Sequence, residues 1–215
     1  MTQERGGTVA AKTTTPARRG ARRSGVSRRD ELLGIAGELF AERGLRATTV
    51  RDIADTAGIL SGSLYHHFDS KESMVDELLR GFLDELFARY REIAASGLSA
   101  AQTLRQFVIA SFESIDARHT AVAIYQNEAR QLAGQERFAY IDDRNLEFRR
   151  LWESVLRRGV DDGEFRADLD VDLVYRFLRD TVWVAVRWYR PGGSKSVEEI
   201  ADQYLSVVLD GILPR

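Results

Sequence analysis

The stretch from Thr49 to Phe68, TVRDIADTAGILSGSLYHHF, admits few folds, because it reads as two short helices joined at a glycine. Ile53, Ala54 and Ala57 fall at helical spacing and make one apolar face. Gly58 supplies the left-handed conformation that ends a helix, and Leu64 and Phe68 restart the apolar pattern four residues apart. Leu64 and Phe68 are therefore expected to dock the second helix. Ahead of them lie Ser61, Gly62 and Ser63, poor helix formers whose small side chains leave an exposed turn open to close approach. That combination suits the reading of a nucleic-acid groove, with Ser61, Gly62 and Ser63 at the groove and Tyr65 and His66 within reach of phosphates. Ser61 is also expected to cap the second helix, since Leu60 cannot. Thr49 and Arg51, at the start of the first helix, complete the candidate surface.

The flanking sequence fits. Leu32, Leu33, Ile35, Ala36, Leu39 and Phe40 recur at three- and four-residue spacing, predicting an amphipathic helix from Asp30 to Arg43 that Gly44 stops. Thr48 or Thr49 caps the next helix, and Ser70, with Ser73 three residues on and Glu72 in the first turn, opens a long fourth helix to about Ala95. Lys71 at that N-terminus opposes the helix dipole unless an anion lies close, and a DNA phosphate would supply one.

Charge is unevenly spread. Residues 1–29 hold eight Lys and Arg against the single Glu4, a balance of +7, so within the net charge of −2 the remainder carries −9. Rich in Thr, Ala and Gly with hardly any large apolar residue, residues 1–26 are expected to form a disordered basic arm that lies along phosphates or enters a minor groove. With no cysteine and three histidines, thiolate metal sites and disulfides are excluded and an imidazole site has little to draw on. No apolar run approaches the roughly 20 residues that span a bilayer. A reducing, cytoplasmic compartment is expected, with no membrane partner. Ser27-Arg28-Arg29 superficially resembles a twin-arginine export signal, but Asp30, Glu31, Glu38 and Glu42 follow where an apolar region would be required.

Beyond Gly97 the pattern is helical throughout: Leu104 to Ile115, Val122 to Leu132, Phe138 to Val160, Val171 to Tyr189 and Val197 to Ile212, with breaks at Asp161-Asp162-Gly163 and Pro191-Gly192-Gly193. The expectation is an all-α chain of about nine helices, divided into the arm (1–26), a helix-turn-helix domain (27–74) and a helical ligand-binding and dimerisation domain (75–215). Arg179 and Trp183 stand four apart on one face of the penultimate helix, pairing a cationic fork with a flat apolar plate, and Arg176 lies further along that side. Spacing leaves two uses open: ligand contact, or an ion pair for Arg179 and core packing for Trp183.

The segment from Arg28 to Met74 resembles the DNA-binding half of TetR-family transcriptional regulators. The resemblance rests on Phe40-Ala41-Glu42-Arg43-Gly44, Thr49-Val50-Arg51-Asp52-Ile53-Ala54, Ala57-Gly58 and Leu64-Tyr65-His66-His67-Phe68-Asp69-Ser70-Lys71-Glu72. It implies a homodimer on a palindromic operator, released by a small molecule in the C-terminal domain. Tyr204, Val207, Val208, Gly211 and Ile212 suit the pairing of last helices that the family uses to dimerise. Further resemblance, in Gly58 to Ser63, Tyr125-Gln126, Val171 to Trp183 and Val186 to Gly193, is to actinobacterial members of that family that repress a second set of cholesterol-degradation genes. It implies a coenzyme A thioester of a bicyclic indanedione propanoate as effector, with Arg179 on its diphosphate and Trp183 on its rings.

Other chemistry finds little support. His66 and His67 are adjacent and diverge on a helix, so they do not form a metal pair. Gly192-Gly193-Ser194-Lys195 lacks the spacing of a phosphate loop. No catalytic residue, metal ligand or cofactor is expected, which leaves an acyl-thioester enzyme as the remote alternative and a regulator of an unrelated lipid or drug response as the nearer one.

Overall fold

The computed structural model describes residues 27–213, and the proposed basic arm lies outside them. Among the described residues there are nine α-helices, two short 3-10 turns and no strands. The helices are α1 (Arg28–Arg43), α2 (Val50–Thr56), α3 (Ser61–Leu64), α4 (Lys71–Ala94), α5 (Ala100–Ala117), α6 (His119–Leu132), α7 (Tyr140–Asp161), α8 (Val171–Trp183) and α9 (Val197–Ile212).

Local chemistry sets most of the starts. Ser27, Thr49, Ser70, Ser99 and Ser196 each accept from the backbone N–H three residues on, and a side chain there returns the bond. α3, like α6 and α7, starts without a side-chain cap: its cap position is Leu60, and Ser61 is the first helical residue. The expectation that Ser61 caps α3 therefore fails by one position. Gly58 takes its positive φ of 66° at the turn after α2, as its place in the sequence demanded.

Two hydrophobic cores organise the chain. Leu32, Leu39, Phe40, Ile53, Leu64, Phe68 and Leu79 gather α1 to α3 onto the start of α4. The second core joins the rest of α4 to α5, α7, α8 and α9, with Tyr90, Phe107, Phe148 and Trp152 as an aromatic centre. Inside it the Tyr90 hydroxyl and Ser111 Oγ share a hydrogen bond of 2.6 Å. Helix α6 belongs to both: Ile124 and Leu132 are buried in the first core, Ala121 and Val122 in the second.

Two helix readings need correction. The segment expected as one helix from Phe138 to Val160 has Phe138 in the 3-10 turn Glu136–Phe138, where its ring is buried in the first core, and α7 starts afresh at Tyr140. The helix expected to reach Tyr189 stops at Trp183, and Val184–Arg187 tighten into a 3-10 turn. The β-branched Val182, Val184 and Val186 weaken the helix there, and the tighter turn carries the Val186 carbonyl to 3.0 Å from His119 Nε2. Tyr189, beyond the turn, donates to Asp116 Oδ1 at 2.5 Å.

Gly159 in α7 has its own reason to be glycine: a Cβ there would lie 2.2 Å from the Phe165 ring. Gly159→Ala improves helix propensity, yet it is expected to lower stability by about 2 kcal/mol through overpacking. Urea unfolding of the two proteins checks the sign.

Candidate nucleic-acid interface and ligand cavity

At the N-terminal end the docking residues behave as their spacing required, with Leu64 and Phe68 buried beneath α3. Phe68 is held further by Arg29, whose guanidinium lies 4.4 Å from the ring centroid and grips Glu77 of α4 with both nitrogens. Arg28 donates to the Ala57 carbonyl at 3.1 Å, closing the end of α2. Both arginines, counted in the basic stretch 1–29 but placed within the 27–74 domain, thus hold the three-helix head together.

Most of the candidate DNA residues are open to solvent. Thr49, Arg51, Gly62, Tyr65 and His66 are exposed, and Ser61 and Ser63 half-buried. Thr49, Tyr65 and Lys71 line a single shallow groove at the start of α4. Arg51 is nearly free, with Asp55 3.6 Å away across one helical turn. Lys71 is different. Its ammonium donates to the carbonyls of Leu45 and Thr48 at 2.7 and 3.1 Å, so its position at a helix N-terminus is satisfied within the domain and requires no phosphate. Leu60, which the sequence marked only as a residue unable to cap, is 80% exposed at the start of α3.

Gly62 has no neighbour within 4 Å of where a Cβ would sit and no positive φ. Nothing inside the chain demands glycine there. Gly62→Ala is expected to leave the fold intact, or stabilise it by about 0.5–1 kcal/mol. If the turn meets a groove, the same change weakens DNA binding in a gel-shift titration.

The C-terminal domain contains a cavity of about 760 Å3 between α4, α6, α7 and α8, a volume typical of small-molecule sites. Its apolar wall includes Phe82, Leu86, Phe87, Phe148 and Trp183. Phe82 stands edge-on to Trp183 with 5.9 Å between centroids. Arginines from three helices surround it: Arg130 of α6, Arg144 and Arg149 of α7, Arg176 and Arg179 of α8. Arg144 pairs with Asp84 and Glu147, Arg149 with Glu153 and Asp172, and Arg176 with Asp172. Arg176, chiefly by its hydrogen bond, with the charges of Arg149 and Arg179, holds the Asp172 carboxyl below its usual range. Arg179 bonds the adjacent Asp180 at 2.7 Å. Arg130 makes no ion pair or hydrogen bond among the described residues.

Arg179 and Trp183 are therefore together at the cavity, and each also does what the plainer reading assigned it: Arg179 has its acid, and Trp183 is 6% exposed in the core. Arg130, Arg144 and Arg149 escaped the sequence reading because only tertiary packing brings three helices to one mouth. Arg187 and Trp188, past the end of α8, do not line this cavity.

α6 touches both places. Its Tyr125, Gln126 and Arg130 line the cavity, while its Glu128 Oε1 accepts from the Leu45 N–H at 3.2 Å, in the turn between α1 and α2.

Residues 32–78 match the model of bacterial regulatory proteins of the tetR family, and residues 97–212 match the tetracyclin repressor-like C-terminal domain. The chain belongs to the TetR family. This TetR-family chain is 69% identical over 185 residues to the HTH-type transcriptional repressor KstR2 of Rhodococcus jostii, covering 86% of this chain and 91% of the relative. It is 63% identical over 186 residues to KstR2 of Mycobacterium tuberculosis, covering 86% and 93%. A solved structure of that ketosteroid transcriptional regulator superposes with a TM-score of 0.86 at 62% identity, over 88% of this chain and 96% of that one. The family is one of regulators rather than enzymes, and among the described residues no helix is long and apolar enough to cross a membrane.

Proposed function

We propose that the protein is a transcriptional repressor of steroid-ring catabolism, which binds a palindromic operator as a homodimer and leaves it when a coenzyme A thioester of a bicyclic indanedione propanoate occupies the cavity. The relatives named KstR2 support the repressor and its steroid context. The thioester rests on one observation above all: Arg179 and Trp183 share a face of α8 at a cavity that joins an aromatic wall to a rim of arginines. A diphosphate needs bidentate cationic donors and a ring system needs an apolar wall. Arg130, with no carboxylate partner among the described residues, is available to the nucleotide at no cost in broken ion pairs.

Residues 27–74 act as the DNA-binding unit, with 1–26 as a basic arm on the phosphates and 75–215 as the ligand-binding and dimerising unit. Thr49, Arg51, Tyr65 and His66 contact phosphates, Ser61, Gly62 and Ser63 approach base edges, and Leu60 is placed to meet a thymine methyl. Lys71 acts by holding the α1–α2 turn, with any phosphate contact secondary. Exposed Phe177, Val184 and Trp188 of the α8 region and Val207 of α9 supply the apolar surface for a second copy. Ligand binding then favours a dimer whose recognition helices no longer match successive major grooves about 34–36 Å apart.

Arg179→Gln and Trp183→Leu are each expected to weaken thioester binding about tenfold, the scale of one charge-assisted hydrogen bond or one aromatic contact, with operator affinity retained. Calorimetry with the thioester beside a gel shift on the operator checks both. Loss of both activities together points to misfolding and calls for thermal melts of each variant.

A further inference from the structure

The aromatic wall of the cavity carries a polar pair that the arginine rim does not explain. Tyr125 of α6 donates to Asn145 Oδ1 of α7 at 2.6 Å, and both residues line the cavity. The Tyr125 ring stands edge-on to Phe82 at 5.9 Å, and Phe82 edge-on to Trp183 at the same distance. The wall therefore runs unbroken from the indole to the phenol, with the hydroxyl and amide at one end. Burial pushes the Tyr125 phenol up to about 12, so it remains a protonated donor at physiological pH. The Asn145 amide presents its Oδ1 to that hydroxyl and accepts its single proton. Asn145 is exposed at the cavity, and the two hydrogens on its Nδ2 have no protein partner among the described residues, so they are open to solvent or ligand.

We propose that Asn145, positioned by Tyr125, donates to an oxygen on the apolar body of the ligand, so that the cavity selects oxo- or hydroxy-substituted ring acyl thioesters over hydrocarbon ones of the same size. This rests on the ligand reading above. A hydrocarbon body pressed against the pair strips its water and offers no hydrogen bond in exchange, whereas a ring ketone accepts one. The asymmetry produces selection without any change in cavity shape. It also separates this cavity from one built for plain fatty-acyl chains, where a polar pair on the wall would be a liability.

The test is calorimetric titration of the full chain with two thioesters, indane-propanoyl coenzyme A bearing one ring ketone and the same compound without it. The wild type is expected to prefer the ketone by about tenfold, the worth of one hydrogen bond. Asn145→Leu and Tyr125→Phe are expected to bring the two affinities within about twofold, mainly by weakening the ketone ligand. Arg179→Gln weakens both thioesters alike and keeps the preference. Equal affinities in the wild type, or a preference that survives Asn145→Leu, overturn the proposal. So does a parallel loss of both ligands in the Tyr125 and Asn145 variants, which is what a mere tie between α6 and α7 would give. Binding without discrimination overturns only this inference; failure of the wild type to bind either thioester overturns the ligand reading with it.

Discussion

Helix α6 is held from both sides, and the relation between the DNA-facing head and the cavity depends on that. Ile124 and Leu132 commit it to the N-terminal core, Ala121 and Val122 to the C-terminal one, so it cannot shift against either without loss of packing. Its polar residues repeat the division. Glu128 holds the Leu45 amide in the turn that leads into α2, while Arg130 and Tyr125 face the cavity. The turn itself is gripped from the other side by Lys71 on the Leu45 and Thr48 carbonyls. In the release proposed above, a displacement of α6 by the ligand would be delivered to the segment that leads into α2 and α3. At the other end of α6, His119 meets the Val186 carbonyl just past α8, the helix that carries Arg179 and Trp183.

The proposed polyanionic ligand would meet five arginines at the cavity, all but Arg130 already paired with acids of the chain. Arg144, Arg149, Arg176 and Arg179 each have a carboxylate within 3 Å, and apart from Arg149 with the buried Glu153 these are exposed or half-exposed pairs of small individual worth. Such pairs keep the guanidinium groups oriented without a large energy to be overcome when a phosphate competes for them. The aromatic wall supplies the opposite requirement, a rigid apolar surface with few rotamers to freeze.

Much of the fold was legible because its determinants are local. The capping serines and threonines mark helix starts within a residue or two, and Gly58 ends α2 where its freedom of φ is needed. The failures share a cause. Ser61 was one position too late to cap, and the end of α8 lies where Val186 turns its carbonyl to His119 of α6, 67 residues away. Lys71 read as awaiting an anion because its two carbonyl partners are 23 and 26 residues away. In the cavity, the i, i+4 pairing of Arg179 and Trp183 could be seen in one helix, whereas Arg130, Arg144, Arg149 and Asn145 become neighbours of that pair only when four helices converge.

The central claim, that occupancy of the cavity and grip on the operator exclude one another, makes a reciprocal demand. If the thioester lowers operator affinity by some factor, the operator must lower thioester affinity by that same factor, for a coupling of about 1–3 kcal/mol or roughly 5- to 150-fold. The direct measurement is thioester affinity for the free protein and for its preformed operator complex, at fixed salt. The expected result is weaker binding to the complex, by the factor found when operator affinity is measured with and without thioester. Equal affinity for the two forms, or tighter binding to the complex, would contradict release by ligand.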